Sequence, residues 1–137
     1  MKLGDECFYT EYGLQSVDIP NSVECLDDRC FMFCNSLELV KMSDFIRSIG
    51  DYCFYRCDKL KFIDIPNTVI GLGDCCFSSC ASLERVKVPN SVKRIGDICF
   101  IGCDNLKCVK IPSQLRYQLR RHRDVPSKCR IEVYWEV

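Results

Sequence analysis

The chain has 137 residues, of which 47% are hydrophobic, so it is long and apolar enough for one folded domain and is not a disordered protein. Its 19 basic and 19 acidic residues give a formal net charge of +0, which argues against a global electrostatic attraction to nucleic acid or membranes. No stretch approaches the roughly 20 apolar residues that cross a bilayer, and the N-terminus lacks the apolar run of a secretory signal. We therefore expect a cytoplasmic protein, or a cell-surface protein if a leader has been removed.

A Cys-Phe pair recurs every 23 residues along the first four-fifths of the chain, without an insertion or a deletion. The pairs begin at Cys7, Cys30, Cys53, Cys76 and Cys99. After each pair a leucine and then two apolar residues recur at fixed positions. A fixed period of roughly 20–50 residues is typical of a solenoid, in which each coil buries its apolar side against its neighbours. The sequence therefore predicts five stacked coils.

Each coil contains, in chain order, a short strand, a turn, a second short extended segment and a Gly-Asp turn that leads into a helical turn. The strand has the pattern L-x-x-V-x-I, in which valine and isoleucine point inward. Proline ends the strand in four coils, and Ser43 replaces it in the second. We expect the glycines to adopt positive φ and the aspartates to cap the helical turn. These residues are Gly50, Gly73 and Gly96, followed by Asp51, Asp74 and Asp97.

Thirteen cysteines in a chain of this length usually indicate a secreted disulfide scaffold, but their placement favours another interpretation. Cys53 and Cys57 lie four residues apart on the helical turn, so both face inward, and the other coils repeat this arrangement. The C-x3-C spacing differs from the C-x2-C pairs of zinc sites, so we expect no metal and no cofactor. Coils about 4.8 Å apart are too distant for unstrained disulfides, whose Cβ atoms are about 3.8 Å apart. We therefore expect reduced thiols that fill the core.

Four cysteines lie outside the two inward columns, and we expect them to be the more exposed thiols. They are Cys25, Cys75, Cys108 and Cys129. No catalytic residue is predicted: the single histidine, His122, lies between arginines in a charged segment. Gly71 and Gly73 belong to the repeated turn and do not form a phosphate-binding loop.

The segments IGDYCFYRCDKLKFIDIPNTV and IGDICFIGCDNLKCVKIPS resemble the BspA-like, or Treponema-type, leucine-rich repeat. The consensus of that repeat runs I-G-x-x-A-F-x-x-C-x-x-L-x-x-I-x-I-P-x-S-V, and the resemblance covers about residues 3–118. Cysteine stands where the family usually has alanine, which makes the chain similar to protist members. The resemblance implies an α/β fold, a right-handed leucine-rich-repeat solenoid of short strands and short helical turns. It also implies protein recognition or cell-surface adhesion, and no enzymatic activity.

The outward positions of the strands line one continuous surface in such an array. Leu39 and Phe62 are adjacent apolar residues on this surface, and Arg85 lies beside them, a combination typical of binding hot spots. We therefore predict that a protein partner binds here, although single exposed apolar residues are also common without any function. The predicted partner-binding residues are Leu39, Lys41, Lys61, Phe62, Asp64, Arg85, Lys87, Cys108 and Lys110.

The register ends at about Leu115, so we divide the chain into a solenoid, residues 1–115, and a C-terminal cap, residues 116–137. Leu115 and Leu119 at helical spacing predict a short amphipathic cap helix, and residues 129–137 alternate as a terminal strand does. The arginines of the cap could instead contact an anionic surface or nucleic acid. They are Arg116, Arg120, Arg121 and Arg123. Residues 1–50 carry a net charge of −5 and residues 107–137 one of +5, which would allow head-to-tail self-association.

Overall fold

The computed structural model describes residues 2–4, 6–119 and 123–135 as a solenoid of five stacked coils. Ten short strands, all paired in parallel, and a one-turn 3-10 helix make up its regular structure. They are β1 (Lys2–Leu3), β2 (Ser16–Asp18), β3 (Cys25–Leu26), β4 (Leu39–Lys41), β5 (Ser48–Ile49), β6 (Gly71–Leu72), β7 (Arg85–Lys87), β8 (Arg94–Ile95), β9 (Cys108–Pro112), the 3-10 helix (Ser113–Leu115) and β10 (Arg130–Tyr134). None of the helices in this described part is long and apolar enough to cross a membrane.

The strands form two ladders along the solenoid. One ladder, which we call the strand face, consists of two separate sheets, β2-β4 and β7-β9-β10, and an isolated bridge joins Phe62 of the third coil to Arg85 of β7. The other, which we call the second sheet, has the order β1-β3-β5-β6-β8. Val86 pairs with Val109, and Leu26 pairs with Ile49, so the register between coils equals the sequence period of 23 residues. This confirms the predicted stacking.

The segment that carries the Cys-Phe pairs forms a third ladder, which we call the turn face, and it is not helical. The N–H groups of Arg29, Phe31 and Phe33 donate to carbonyls of the next coil over 2.8–2.9 Å. The intervening N–H groups close turns to the residue three before. Arg29 and Phe33 have φ of 58° and 63°, and the other coils repeat this alternation. The predicted helical turns are therefore wrong, because every second N–H group bonds to the neighbouring coil.

The core consists of columns of identical side chains, one from each coil. The rings of Phe8, Phe31, Phe54, Phe77 and Phe100 stack with centroids 5.0–5.8 Å apart and planes within 4° of parallel. Cysteines fill the columns on either side and are buried in coils two to five. Their predicted role as core residues is confirmed.

The repeated Gly-Asp pair holds the coils at close range, and the roles predicted for both residues are wrong. Gly50, Gly73 and Gly96 do not have positive φ. A Cβ atom on Gly73 would lie 2.5 Å from the backbone nitrogen of Asp51 and the carbonyl carbon of Gly50, both in the preceding coil. The carboxylate of Asp51 accepts a hydrogen bond from the N–H of Asp74 over 2.8 Å, so it does not cap its own turn. Glycine is required because the two backbones nearly touch.

The cap satisfies the hydrogen-bond donors of the last coil. Asp124, only 1% exposed, accepts a hydrogen bond from the N–H of Phe100 with its carbonyl oxygen and from the N–H of Ile98 with Oδ1. Gln118 Oε1 accepts from the N–H of Ile95 over 3.2 Å, which covers the edge of β8. β10 covers the edge of β9 on the strand face. At the end of each of the three ladders, the last coil is therefore hydrogen-bonded to the cap.

Up to residue 119, where the description of this segment is interrupted, the predicted cap helix is represented by the 3-10 turn Ser113–Leu115 and the turns that follow it. Leu115 and Leu119 are buried, as their spacing predicted. Side-chain hydrogen bonds from Gln114 and Gln118 to backbone carbonyls of residues 90–93 hold this segment against the last coil. Arg120, Arg121 and His122 lie outside the described residues.

Changing Gly73 to alanine should destabilise the fold by about 3 kcal/mol, because its Cβ would overlap the backbone of the preceding coil. Gly71 is the matched control, since the nearest atom to its Cβ would be 3.9 Å away and its φ is not positive. Gly71→Ala should change the free energy of unfolding by less than about 1 kcal/mol. Urea unfolding of both variants measures this, and equal losses would contradict the close-approach explanation.

Changing Asp124 to alanine should lower the free energy of unfolding by about 2 kcal/mol, because the N–H of Ile98 loses its acceptor. Asp124→Asn keeps an acceptor oxygen and should cost less. Asp104→Ala, at an exposed position, is the control and should have little effect. Thermal unfolding compares the three variants, and an Asp124→Ala protein as stable as the control would refute the capping role.

Candidate functional site

The strand face contains a groove of about 580 Å³ across its last three coils and the cap strand. Phe62, Asp64 and Pro89 line it together with β7, β9 and β10. Because β7, β9 and β10 pair in register, their outward side chains form two rows across the strands. One row contains Phe62, Arg85, Cys108 and Arg130, and the other contains Asp64, Lys87, Lys110 and Glu132. The groove is therefore a concave surface with regularly spaced side chains.

Four basic and two acidic side chains give the groove a positive charge. Glu132 forms one ion pair with Arg130 at 2.8 Å and another with Lys110 at 3.8 Å. The Lys87 ammonium lies 5.0 Å from the ring centre of Tyr134, whose hydroxyl donates to the carbonyl of Val88 over 2.6 Å. These contacts fix β10 across the strand ladder and hold the charged side chains in place. The arrangement can bind a group with negative charge next to an apolar one.

The structure brings together most of the predicted partner-binding residues. Six of them line the groove, and Leu39 and Lys61 line an adjacent cavity of about 430 Å³ that Phe62 also borders. Leu39 and Phe62 are 61% and 58% exposed. Lys41 is exposed on β4 and lines neither cavity. The residues in the groove are Phe62, Asp64, Arg85, Lys87, Cys108 and Lys110.

Arg130 and Glu132 belong to the groove, although the sequence placed them only in the cap. Arg130 pairs with Cys108, 22 residues earlier, so β10 does not follow the 23-residue register. Its alternation predicted a strand, but nothing in the sequence showed beside which strand it lies.

Cys108 and Cys129 are buried, so the expectation that both are more exposed thiols is wrong. Cys108 is 5% exposed, although it faces outward, because it lies between Arg85 and Arg130 in the register. Cys25 and Cys75 are half-buried. Cys108 therefore forms the floor of the groove and does not contribute an exposed thiol.

The described arginines of the cap form ion pairs or aromatic contacts with other residues of the chain. Arg123 is ion-paired with Asp97 and with Asp124, and these carboxylates raise its pKa, with Asp124 contributing most. The Arg116 guanidinium lies 4.6 Å from the ring centre of Tyr117 and 5.3 Å from that of Trp135. Arg120 and Arg121, the other two residues predicted for an anionic partner, lie outside the described residues.

The buried cysteines have the environment of packing residues and not of reactive groups. The thiols of Cys34, Cys57, Cys80 and Cys103 donate to phenylalanine carbonyls of the preceding coil over 3.0–3.3 Å. Burial raises the pKa of Cys34 to about 11 and that of Cys103 to about 12. All thirteen cysteines are free, and the described residues contain no cluster of three or more potential metal ligands. Protonated, enclosed thiols are poor nucleophiles and poor ligands.

A strip of aromatic side chains on the turn face was not predicted. Phe33 lies edge-on between Tyr9 and Tyr55 at centroid distances of 5.8 and 5.7 Å. The ring centres of Tyr52 and Tyr55 are 5.4 Å apart, and the Arg29 guanidinium lies 5.9 Å from the ring centre of Tyr52. The sequence signal was the run of aromatic residues two or three positions after the first cysteine. Most of these rings cover one another, so the strip stabilises the turn ladder.

A family model for the BspA type leucine rich repeat region matches residues 1–120 in six copies. No curated protein gives a significant sequence match. A leucine rich repeat protein of T. pallidum is similar in structure, with a TM-score of 0.86 and 28% identity over 99% of this chain and 64% of that one. A leucine-rich repeat protein from Bacteroides ovatus gives a TM-score of 0.79 and 27% identity, over 100% of this chain and 40% of that one.

A leucine rich cell surface protein from Faecalibacterium prausnitzii gives a TM-score of 0.77 and 29% identity, over 86% of this chain and 31% of that one. The chain thus spans less than two thirds of the length of each of these solved structures.

The stability of the fold should fall as the pH rises from about 9 to about 12, because the buried thiols ionise more readily in the unfolded chain. Burial raises the pKa of Cys30, Cys99 and Cys103 to about 12 from an ordinary value of 9.0, and it also raises the pKa of Cys53 and Cys76. This contribution to stability is complete below about pH 9. Urea unfolding as a function of pH measures it.

Replacing Cys53 and Cys76 with alanine, the residue usual in the family at these positions, should make this loss of stability less steep. Val69→Ala, at a buried position without a titratable side chain, is the control and should lower the stability to the same extent at every pH. A free energy of unfolding that stays constant to pH 11 would contradict the thiol environment described above.

Proposed function

Since the chain belongs to the BspA-type leucine-rich-repeat family, we propose that it is a non-enzymatic protein-interaction module that binds a protein partner in the groove of its strand face. The observation that carries this proposal is the exposed Phe62 at the mouth of a concave groove beside Arg85. Aromatic and arginine side chains dominate the binding energy of many protein interfaces, especially where the surrounding surface excludes water.

Leu39 and Phe62 extend this surface beyond the groove. Both are more than half exposed and border the same adjacent cavity, so a partner that fills the groove can also cover them. Burial of a side chain of this size contributes about 1.5–3 kcal/mol. The two residues would therefore supply much of the affinity, and the charged rows of the groove would fix the orientation of the partner.

Cell-surface adhesion is the second candidate function, because one structurally similar protein is described as a leucine rich cell surface protein. The cysteines pack as free thiols, which favours a reducing compartment, and we therefore propose a cytoplasmic location for the interaction module over the cell surface. Binding of anionic partners by the cap has less support, because Arg123 is ion-paired with two carboxylates. Head-to-tail self-association has less support as well, because Gln118, Asp124 and β10 occupy the hydrogen-bonding edges of the last coil.

Changing Leu39 and Phe62 together to glutamate should abolish capture of the partner from a lysate of the source cells, because two apolar contacts become charged. Phe45 and Ile70, 56% and 48% exposed and outside the strand face, provide the matched control when both are changed to glutamate. Quantitative mass spectrometry compares the proteins retained by the native chain and by the two variants. Circular dichroism first establishes that all three are folded.

A partner retained by the native chain and by the control, but not by the strand-face variant, supports the proposal. Identical partners for all three proteins, or a partner lost only from the control, would exclude the strand face as the binding surface.

A further inference from the structure

Basic side chains lie side by side in the groove, although their repulsion opposes folding. Lys87 and Lys110 are register partners on β7 and β9, so their Cα atoms are about 4.8 Å apart. Like charges in directly opposed positions destabilise a sheet. Within the described part of the chain Glu132 forms ion pairs with Lys110 and Arg130, and Asp64 is the other acid that lines the groove. Such a local cost is typical of a functional site.

Arg85 is available to a ligand. Its side chain makes no ion pair and no hydrogen bond among the described residues. Its neighbour in the register is Cys108, and the next neighbour is Arg130, so a small buried side chain separates two long guanidinium groups. A guanidinium group binds a carboxylate through two parallel N–H donors. Arg85, which lines the groove, can therefore offer such a pair of donors to a carboxylate of a ligand.

The spacing of this row matches an extended peptide that crosses the strands. Phe62, Arg85, Cys108 and Arg130 occupy four successive strand positions, so Phe62 and Arg130 are about 14 Å apart at about 4.8 Å per strand. In an extended chain, residues two and four positions apart point to the same side, and four residues span about 13 Å. An apolar residue over Phe62 would thus place the second following residue near Arg85 and the fourth near Arg130.

We propose that the groove binds an extended acidic segment of its protein partner, in which an apolar residue is followed by acidic residues at the second and fourth positions. The apolar side chain packs on Phe62, the first acid binds Arg85 and Lys87, and the second acid shares Arg130 and Lys110 with Glu132, which pairs with both in the unbound chain. This inference rests on the proposed function and specifies the chemistry of the partner. The positive charge of the groove, with one apolar end, favours this ligand over an uncharged segment.

Fluorescence polarisation with a labelled synthetic peptide tests the proposal. The peptide carries one leucine followed by glutamates at the second and fourth positions, with serine at all others. Replacing both glutamates with glutamine, or the leucine with serine, should weaken binding by at least about tenfold, because each change removes one kind of contact. Binding should also weaken with rising salt. Equal affinity for all three peptides, or no binding at about 1 mM, would overturn the proposal.

Arg85→Gln and Arg130→Gln should each weaken binding of the leucine–glutamate peptide by about tenfold. Arg94→Gln, at an exposed position of the second sheet, is the matched control and should bind as the native chain does. Competition with a single-stranded DNA oligonucleotide tests the alternative class of ligand. Displacement of the peptide by the oligonucleotide, with no dependence on the leucine, would assign the groove to nucleic acid and overturn the proposal.

The captured partner separates this inference from the proposed function. A partner that requires Phe62 but binds the Arg85→Gln chain as tightly as the native chain overturns the acidic ligand and leaves the interaction module intact. A partner that requires both residues supports both. A partner that binds the Phe62 variant and the Arg85→Gln chain as tightly as the native chain overturns both.

Discussion

The close stacking of consecutive coils in one unvarying register is the constraint on which the rest of this structure depends. The hydrogen bonds of the second sheet and of the turn face join each coil to the next, and the Gly-Asp pairs allow the backbones to approach until no Cβ fits between them. The same stacking places the five phenylalanine rings in one parallel column. Because every position repeats, an inward residue forms a core column and an outward residue forms part of a surface row.

The sequence predicted the period, the number of coils, the core columns and the strand face, since all of them follow from the 23-residue repeat. It did not predict the conformation of the turn face, because an apolar pair four residues apart fits both a helical turn and the observed ladder with its positive φ at Arg29 and Phe33. The capping role of Asp124 and the place of Arg130 in the groove were also not predictable. Both residues lie beyond the repeat, where only tertiary contacts decide which coil they meet.

The columns and the rows of the solenoid have different roles. Eight of the thirteen cysteines belong to the buried columns of coils two to five, where they pack the core and burial raises the pKa of their thiols. The rows of the strand face carry the variable residues, and they change from apolar at Leu39 and Phe62 to basic at Arg85 and Lys110. The cap completes the surface, since β10 adds one more strand with Arg130 and Glu132. The strand face therefore presents an apolar region and a charged region side by side to the proposed partner.

Hydrogen–deuterium exchange of the chain with and without its captured partner tests the central claim, that the strand face is the binding surface. We expect slower exchange of backbone amides at Phe62, β7, β9 and β10 in the complex, and no change on the turn face, for example at residues 29–33. Protection confined to the turn face or to the second sheet, with the strand face unchanged, would contradict this claim.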